Sequence, residues 1–295
     1  MQDLNRNLRG LAKYQHQLAS GKRVSRPSDD PVAIVKSLRL RSDLGDIEQF
    51  VKNADHALAW LNTTETALAQ AGDVLQRARE LAVYGANGTL PQESRDAIAE
   101  EVKQLFDQMV QIANTSYAGQ YVFAGTETKT QPFTGDLSDA TPAVTYAGND
   151  GPVGEKRTET GTGQTLAYNL DGRKAFASTG SGDPFQVFES LKSLYLHLKN
   201  GQTQEVSSQD IGELSQAIDH LLAVRAEVGA RVNRLELTKS RLDDADINFT
   251  GLLSKTEDVD VAQTIMELKN QENVYRAALA TGARIIQPTL VDFLR

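Results

Sequence analysis

Apolar residues in this chain recur every three or four positions over stretches longer than a globular helix requires. From Leu44 they fall at Ile47, Val51, Ala54, Leu58 and Leu61, then Leu68, Ala71, Leu75, Ala78 and Ala82, with one slip in register near Glu65. A second run holds Ile98, Val102, Leu105, Met109 and Ile112. A third holds Ile211, Leu214, Ile218, Leu221, Val228, Val232 and Leu235, followed by Leu242, Ala245, Phe249 and Leu252. At about 1.5 Å per residue, the stretch from Leu44 to Ala82 predicts a helix of roughly 60 Å. Such a helix suits a fibre subunit better than a compact enzyme.

The chain has 295 residues, 40% of them hydrophobic, enough for two domains with cores of their own. Aromatics supply only 6%, with a single tryptophan, Trp60, which fits helices packed along Ala/Leu seams better than a globular α/β core. A net charge of −8 and a pI of about 5.1 argue against nucleic acid or an anionic membrane as the main partner. The cluster Lys22, Arg23 and Arg26 is too short to overturn that. The absence of cysteine excludes disulfides, thiolate chemistry and Cys-ligated metal. No run of about eighteen apolar residues offers a membrane-spanning helix. Met1-Gln2-Asp3-Leu4-Asn5 lacks the apolar core of a secretory signal peptide, so export, if it occurs, uses a route that cleaves none.

Leu4, Leu8, Leu11 and Leu18 stripe a first helix, which Ser20-Gly21 ends with Gly21 in the left-handed C-terminal position. Arg26-Pro27-Ser28-Asp29-Asp30-Pro31 reads as a turn and a new helix start, with Asp30 as cap and Pro31 in the first helical position. The long helix runs to about Val83. Thr89-Leu90-Pro91-Gln92 reads as a capping box for the next, antiparallel helix, ending near Ser116 to Gly119. From Gly119 to Gly182 the period changes, and half of the chain's 22 glycines fall there. Tyr121-Val122-Phe123, Val144-Thr145-Tyr146 and Thr165-Leu166-Ala167-Tyr168 read as short strands. Asp183-Pro184 then caps a helix carrying Val187, Phe188, Leu191, Leu194, Tyr195 and Leu198, ended by Asn200-Gly201. A second long helix runs from about Gln209 to Leu253. After Asp258-Val259-Asp260 a final helix carries Val261, Ile265, Leu268, Tyr275, Leu279 and Ile286 and stops at Pro288.

The predicted fold is mainly α with a β-rich insert: an elongated rod of antiparallel long helices plus a small β domain. Residues 1–26 and 255–295 form terminal assembly helices, 27–120 and 183–254 the two halves of a helical rod domain, and 121–182 a β-rich outer domain.

Asp29 and Asp30 could pair as acid and base, but beside Pro31 they read as caps, as do Asp258 and Asp260. His16, His56, His197 and His220 show no metal-ligand spacing. Gly161-Thr162-Gly163-Gln164-Thr165 and Gly151-Pro152-Val153-Gly154-Glu155-Lys156 lack the spacing of a phosphate loop, and no GxSxG string occurs. No catalytic residue, cofactor or metal is expected, and the chain reads as a non-enzyme. The runs at 44–112 and 211–253 read as intramolecular core. The stripes at 4–18 and 261–286 have little else in the chain to bury them and read as intersubunit packing. A lone helix of that length is marginal in water, so both ends are expected to fray in a monomer and order in an assembly.

Several strings are more specific than periodicity. Ser20-Gly21-Lys22-Arg23-Val24 followed by Pro27-Ser28-Asp29-Asp30-Pro31 resembles the junction of terminal and rod helices in the flagellin superfamily. Leu75 to Val83 with Ala86-Asn87-Gly88-Thr89 is similar to the end of the first long helix of bacterial flagellins. Gln271, Tyr275, Ala277-Ala278-Leu279, Arg284-Ile285-Ile286 and Thr289-Leu290-Val291-Asp292-Phe293-Leu294 look like the family's terminal helix. Three features resemble the hook–filament junction branch rather than the filament protein: the Pro-Ser-Asp-Asp-Pro turn, the string Gly119 to Thr126 with Gln131-Pro132-Phe133, and the Asp-Phe-Leu ending.

That resemblance implies a secreted structural protein of the bacterial flagellum, joining the hook side to the filament by helical packing between subunits. Its implied partners are copies of itself in a ring-like layer, a neighbouring hook-associated protein, flagellin, and an export chaperone at the C-terminal helix. The assembly interface is expected at Leu4, Leu8, Leu11, Leu18, Val261, Ile265, Leu268, Gln271, Tyr275, Leu279 and Ile286. Arg23, Pro27, Asp29, Asp30 and Pro31 would set the angle between terminal and rod helices. Family members usually carry a longer stretch ahead of the segment equivalent to Leu4–Leu18, where the export signal is assigned. This chain therefore reads as truncated or as starting at an internal Met. The rivals are a flagellin filament subunit and a secreted helical adhesin.

Overall fold

The computed structural model describes residues 2–137, 144–148, 155–176 and 185–286. The expected Asp183-Pro184 cap, the Gly151–Gly154 part of one glycine loop, the stop at Pro288 and the Thr289–Leu294 string lie outside them. Helix α1 spans Gln2–Ser20, α2 Pro31–Gly85 and α3 Gln92–Ala113. Three antiparallel hairpins follow: β1 (Ser116–Tyr117) with β2 (Gln120–Tyr121), β3 (Phe133–Thr134) with β4 (Thr145–Tyr146), and β5 (Arg157–Gly161) with β6 (Gln164–Ala167). Helices α4 (Gly172–Phe176) and α5 (Gln186–Lys199) come next. A turn at Thr203–Glu205 and a π-helical stretch, Val206–Asp210, lead into α6 (Ile211–Glu257), and α7 spans Val261–Ile286.

Two compact units divide this chain. A terminal unit holds Met1–Glu48 and Asp243–Arg295, and a central unit holds Gln49–Leu242. The boundaries fall inside α2 and α6, whereas the sequence reading cut at the turns near 26 and 254. A turn ends a helix without ending its packing. The described part of the 121–182 insert belongs to the central unit with the helices around it.

In the central unit the α2 seam is a core. Ala54, Leu61, Leu68, Ala71, Leu75, Ala78 and Ala82 are fully buried, facing the same cluster as Val102 and Met109 of α3 and Leu214, Val228 and Leu235 of α6. Arg77 of α2 reaches Glu101 of α3 at 2.8 Å, as an antiparallel pair joined by a short turn requires. Thr89 does not form a capping box. Its N–H and hydroxyl both donate to Asn87 Oδ1, Pro91 takes the cap position, and no side chain caps α3. Gln92 donates instead to the carbonyls of Leu198 and Lys199 at the end of α5. There Gly201 adopts φ +71°, the left-handed stop expected of Asn200-Gly201.

Two of the three expected strands shrink to two residues, while the third keeps four, shifted by one to Gln164–Ala167. Ala118 (φ +50°) and Gly119 (φ +75°) turn the chain so tightly that only two residues pair on each side. Val122 and Phe123 then leave the hairpin and are fully buried. Two-stranded hairpins are marginal alone, and these are anchored by rings. Phe133 lies 5.2 Å from Phe176, 5.4 Å from Phe188 and 5.8 Å from Phe185, while Phe123 meets Phe176 and Phe106 meets Phe188. Six of the chain's nine phenylalanines thus share one cluster. Gly172 fits there only without a side chain, since a Cβ would sit 2.7 Å from the Phe123 carbonyl oxygen. A second patch surrounds Trp60, with Tyr117, Tyr168 and His56 ring to ring and the Lys156 ammonium 4.6 Å over the indole.

In the terminal unit α1 packs along α7. The stripes at 4–18 and 261–286 therefore have each other as partners, a pairing across the full sequence that local spacing does not reveal. Gly10 opens the contact, since a Cβ there would meet Gln271 Nε2 at 3.0 Å. Gln271 donates to Asn7 Oδ1 at 3.2 Å, and the Tyr14 hydroxyl bonds to Glu267.

Candidate functional site

The junction of α1, α2, α6 and α7 is built around one carboxylate. Gly21 (φ +69°) ends α1, and the next residues pair antiparallel with the α6–α7 turn. Lys22 bridges Asp258, Val259 N–H donates to the Gly21 carbonyl, and Arg23 N–H donates to the Glu257 carbonyl at 2.6 Å. The Glu257 side chain, 6% exposed, accepts from Arg41 (2.9 and 2.6 Å), from Lys22 Nζ (2.9 Å) and from the Ser37 hydroxyl. The hydrogen bond from Arg41 holds its carboxyl below the ordinary glutamate range against the opposing effect of burial, with Lys22 adding to the shift. The Arg23 guanidinium donates to the Thr256 carbonyl at 3.0 Å, and buried Gln17 donates to the Arg23 carbonyl at 2.8 Å.

Of the two aspartates expected as caps in the 27–31 turn, Asp30 caps α2 and Asp29 instead closes the turn behind it. Asp30 Oδ1 caps α2 through the N–H groups of Val32 and Ala33. Asp29 accepts from the N–H groups of Ser25 and Arg26. Against a burial effect that works the other way, these bonds lower its pKa. Asp260 caps α7 by accepting from Gln263 N–H.

The expected interface residues are all in this unit, but not all are free. Leu4, Leu11, Leu18, Leu268, Gln271 and Tyr275 are half-buried, and Gln271 is engaged with Asn7. Leu8, Val261, Ile265 and Leu279 remain exposed, as do Arg23, Pro27, Asp29 and Pro31, while Asp30 is half-buried. Ile286 is the last residue of α7. Sequence reasoning missed a second apolar stripe on α2, where Val32, Val35 and Leu38 are 78%, 67% and 62% exposed. Its signal was the unbroken run Val32-Ala33-Ile34-Val35 after the cap. A run of four covers more of a helix than one buried face can use. Ile247 of α6 and Met266 and Val274 of α7 are exposed as well. Glu257 was also missed, because nothing local marks a carboxylate whose cations lie more than two hundred residues away.

The geometry of this unit is a buried ion-pair junction beside exposed apolar side chains. Among the described residues no group of three or more His, Cys, Asp or Glu is placed to hold a metal ion, and no helix is long and apolar enough to cross a membrane. The likeness to known proteins takes in α1, α2, α6 and α7 together with α3 and the first hairpin. The bacterial flagellin N-terminal helical region matches residues 1–128, and the flagellin C-terminal helical region matches 211–294. The chain belongs to the flagellin family. Among its relatives in that family, flagellar hook-associated protein 3 of Escherichia coli (strain K12) is 27% identical over 289 residues, covering 92% of this chain and 91% of that protein. The flagellar filament 33 kDa core protein of Treponema phagedenis is 28% identical, covering 97% and 91%. The fold is that of flagellar hook associated protein-3 from Legionella pneumophila, with a TM-score of 0.64 at 19% identity over 73% of this chain and 97% of that one. The two matched regions lie toward the two ends of this sequence. Here the helices at those ends pack on each other.

Proposed function

We propose that this chain is a structural subunit of the bacterial flagellum of the hook-associated protein 3 kind, joining the hook side to the flagellin filament. The observation that carries this is the terminal unit, in which α1 and α7 pair and leave apolar stripes exposed at Val32, Val35, Leu38, Val261, Ile265 and Leu279. Surfaces of that kind mark protein partners. Neighbouring copies in a ring-like layer cover part of the stripe, and the adjoining hook-associated protein and flagellin cover the rest. The subunit is exported to the flagellum, with a chaperone on the C-terminal helix until assembly. The interface residues are Leu4, Leu8, Leu11, Leu18, Val261, Ile265, Leu268, Gln271, Tyr275, Leu279 and Ile286, and Arg23 with the 27–31 turn sets the angle. The Treponema phagedenis filament core protein supports a second reading, a filament subunit, at similar identity.

Microscopy of a deletion strain separates the two. Hooks without filaments, with flagellin shed into the medium, support the junction role. Loss of flagellin itself, with hook and junction proteins still in place, makes the chain the filament. Normal filaments and swimming remove both readings.

A further inference from the structure

Between α1 and the turn that follows it lies a groove of about 360 Å³ lined by Arg9, Lys13, His16 and Arg26, with Asp29 the one carboxylate among its lining residues. In a chain of net charge −8 this concentrates positive charge on one short helix face. Asp29 is already committed to the N–H groups of Ser25 and Arg26. The side chains of Arg9, Lys13 and His16 make no hydrogen bond or ion pair among the described residues, and Lys13 acts on Asp29 only through its charge. The same unit carries a matching negative segment on α6. Asp243, Asp244 and Asp246 are exposed there without an ion pair among the described residues. Asp243 and Asp246 share a face with exposed Ile247 by helical spacing.

We propose that this groove receives the acidic 243–246 segment of a second copy of the chain, an inference that rests on the assembly reading above. One copy leaves both charged patches open, and a head-to-tail contact pairs them and repeats from subunit to subunit. Exposed charges of this kind set orientation and register more than affinity, so the apolar stripes hold the contact and the groove selects its geometry. Salt weakens it, because charges further apart than about 8 Å are screened at physiological ionic strength.

The test is charge reversal and its repair in a strain lacking its own copy. Full-length protein is supplied as the parent, as Arg9→Glu with Lys13→Glu, as Asp243→Lys with Asp244→Lys, and with all four changes. Isolated hooks are probed for retained protein, the medium for exported protein, and purified proteins for helix content. Each reversal is expected to leave roughly a tenth of the parent's level on hooks, with the remainder in the medium, and the fourfold variant to restore it. Full retention of the single reversals overturns the groove's role, and no recovery in a folded, exported fourfold variant overturns the pairing between copies. Absence of the parent from hooks overturns the junction reading itself and is seen separately. Because the chain has no cysteine, Lys13→Cys with Asp244→Cys gives a second reading that does not depend on charge. Disulfide-linked multimers on oxidised hooks support the contact, and monomers alone overturn it.

Discussion

The two units of this chain use the same helical periodicity to opposite ends. In the central unit the apolar stripes of α2, α3, α5 and α6 meet one another, and six phenylalanines lock the hairpins onto them. In the terminal unit α1 and α7 share one contact, while apolar residues on α2, α6 and α7 stay in solvent. The first arrangement completes a core inside one molecule. The second leaves part of its hydrophobic surface for other molecules and relies on caps and one buried carboxylate for its shape. An apolar stripe read from sequence therefore says that something must be covered, but not by what.

The largest effect expected is in the central unit. Phe133→Ala removes the ring at the middle of the cluster and should cost about 3–5 kcal/mol, read from denaturant unfolding. A cost below about 1 kcal/mol would mean that the hairpins are not part of that core. Glu257→Ala strands Lys22 and Arg41, which are 37% and 48% exposed and partly solvated without it. The expected loss is therefore about 1–3 kcal/mol, below that of a wholly buried pair. It should appear as faster amide exchange in α1 and α7 with the central unit unchanged; uniform loosening of both units would erase the distinction.

Acid should sharpen the same contrast. The Glu257 pKa is depressed, so its contribution is present above the ordinary glutamate range and is lost as pH falls through the lower folded value. Asp210 of the central unit is raised, chiefly by burial, against the pull of His197 at 2.9 Å. Its sign is opposite, since protonation relieves the cost of a buried charge. Exchange at 21–23 and 258–259 should therefore rise before exchange at 206–214 on acidification; the reverse order contradicts this assignment. Asp30→Ala removes the α2 cap and should cost about 1 kcal/mol, seen as fraying from Pro31 onward.

Much of this was legible because it is local. Gly21, Asp30, Pro31, Asp260 and Gly201 each act through the next few residues, and each does what its neighbours in sequence imply. The α2 seam from Ala54 to Ala82 was legible because a core stripe on a long helix has a fixed period. The failures are long-range or competitive. Thr89 had the pattern of a cap, but Asn87 captured its hydroxyl first. Val122 and Phe123 had the composition of a strand, but the burial of Phe123 among aromatic rings outweighed further pairing. Glu257 and the α1–α7 contact depend on residues from opposite ends of the sequence, where no spacing rule applies. Val32, Val35 and Leu38 differ from core residues only in what surrounds them.

The smallest effect on the free protein should come from the residues that matter most to its role. Val35→Ser with Leu38→Ser changes two exposed side chains and should alter unfolding by no more than about 0.5 kcal/mol per site. The decisive measurement is electron microscopy of a deletion strain complemented with this double variant, alongside the parent. The account predicts a folded, exported protein of unchanged stability that leaves hooks bare of filaments. Filaments as long and as numerous as with the parent protein would contradict it.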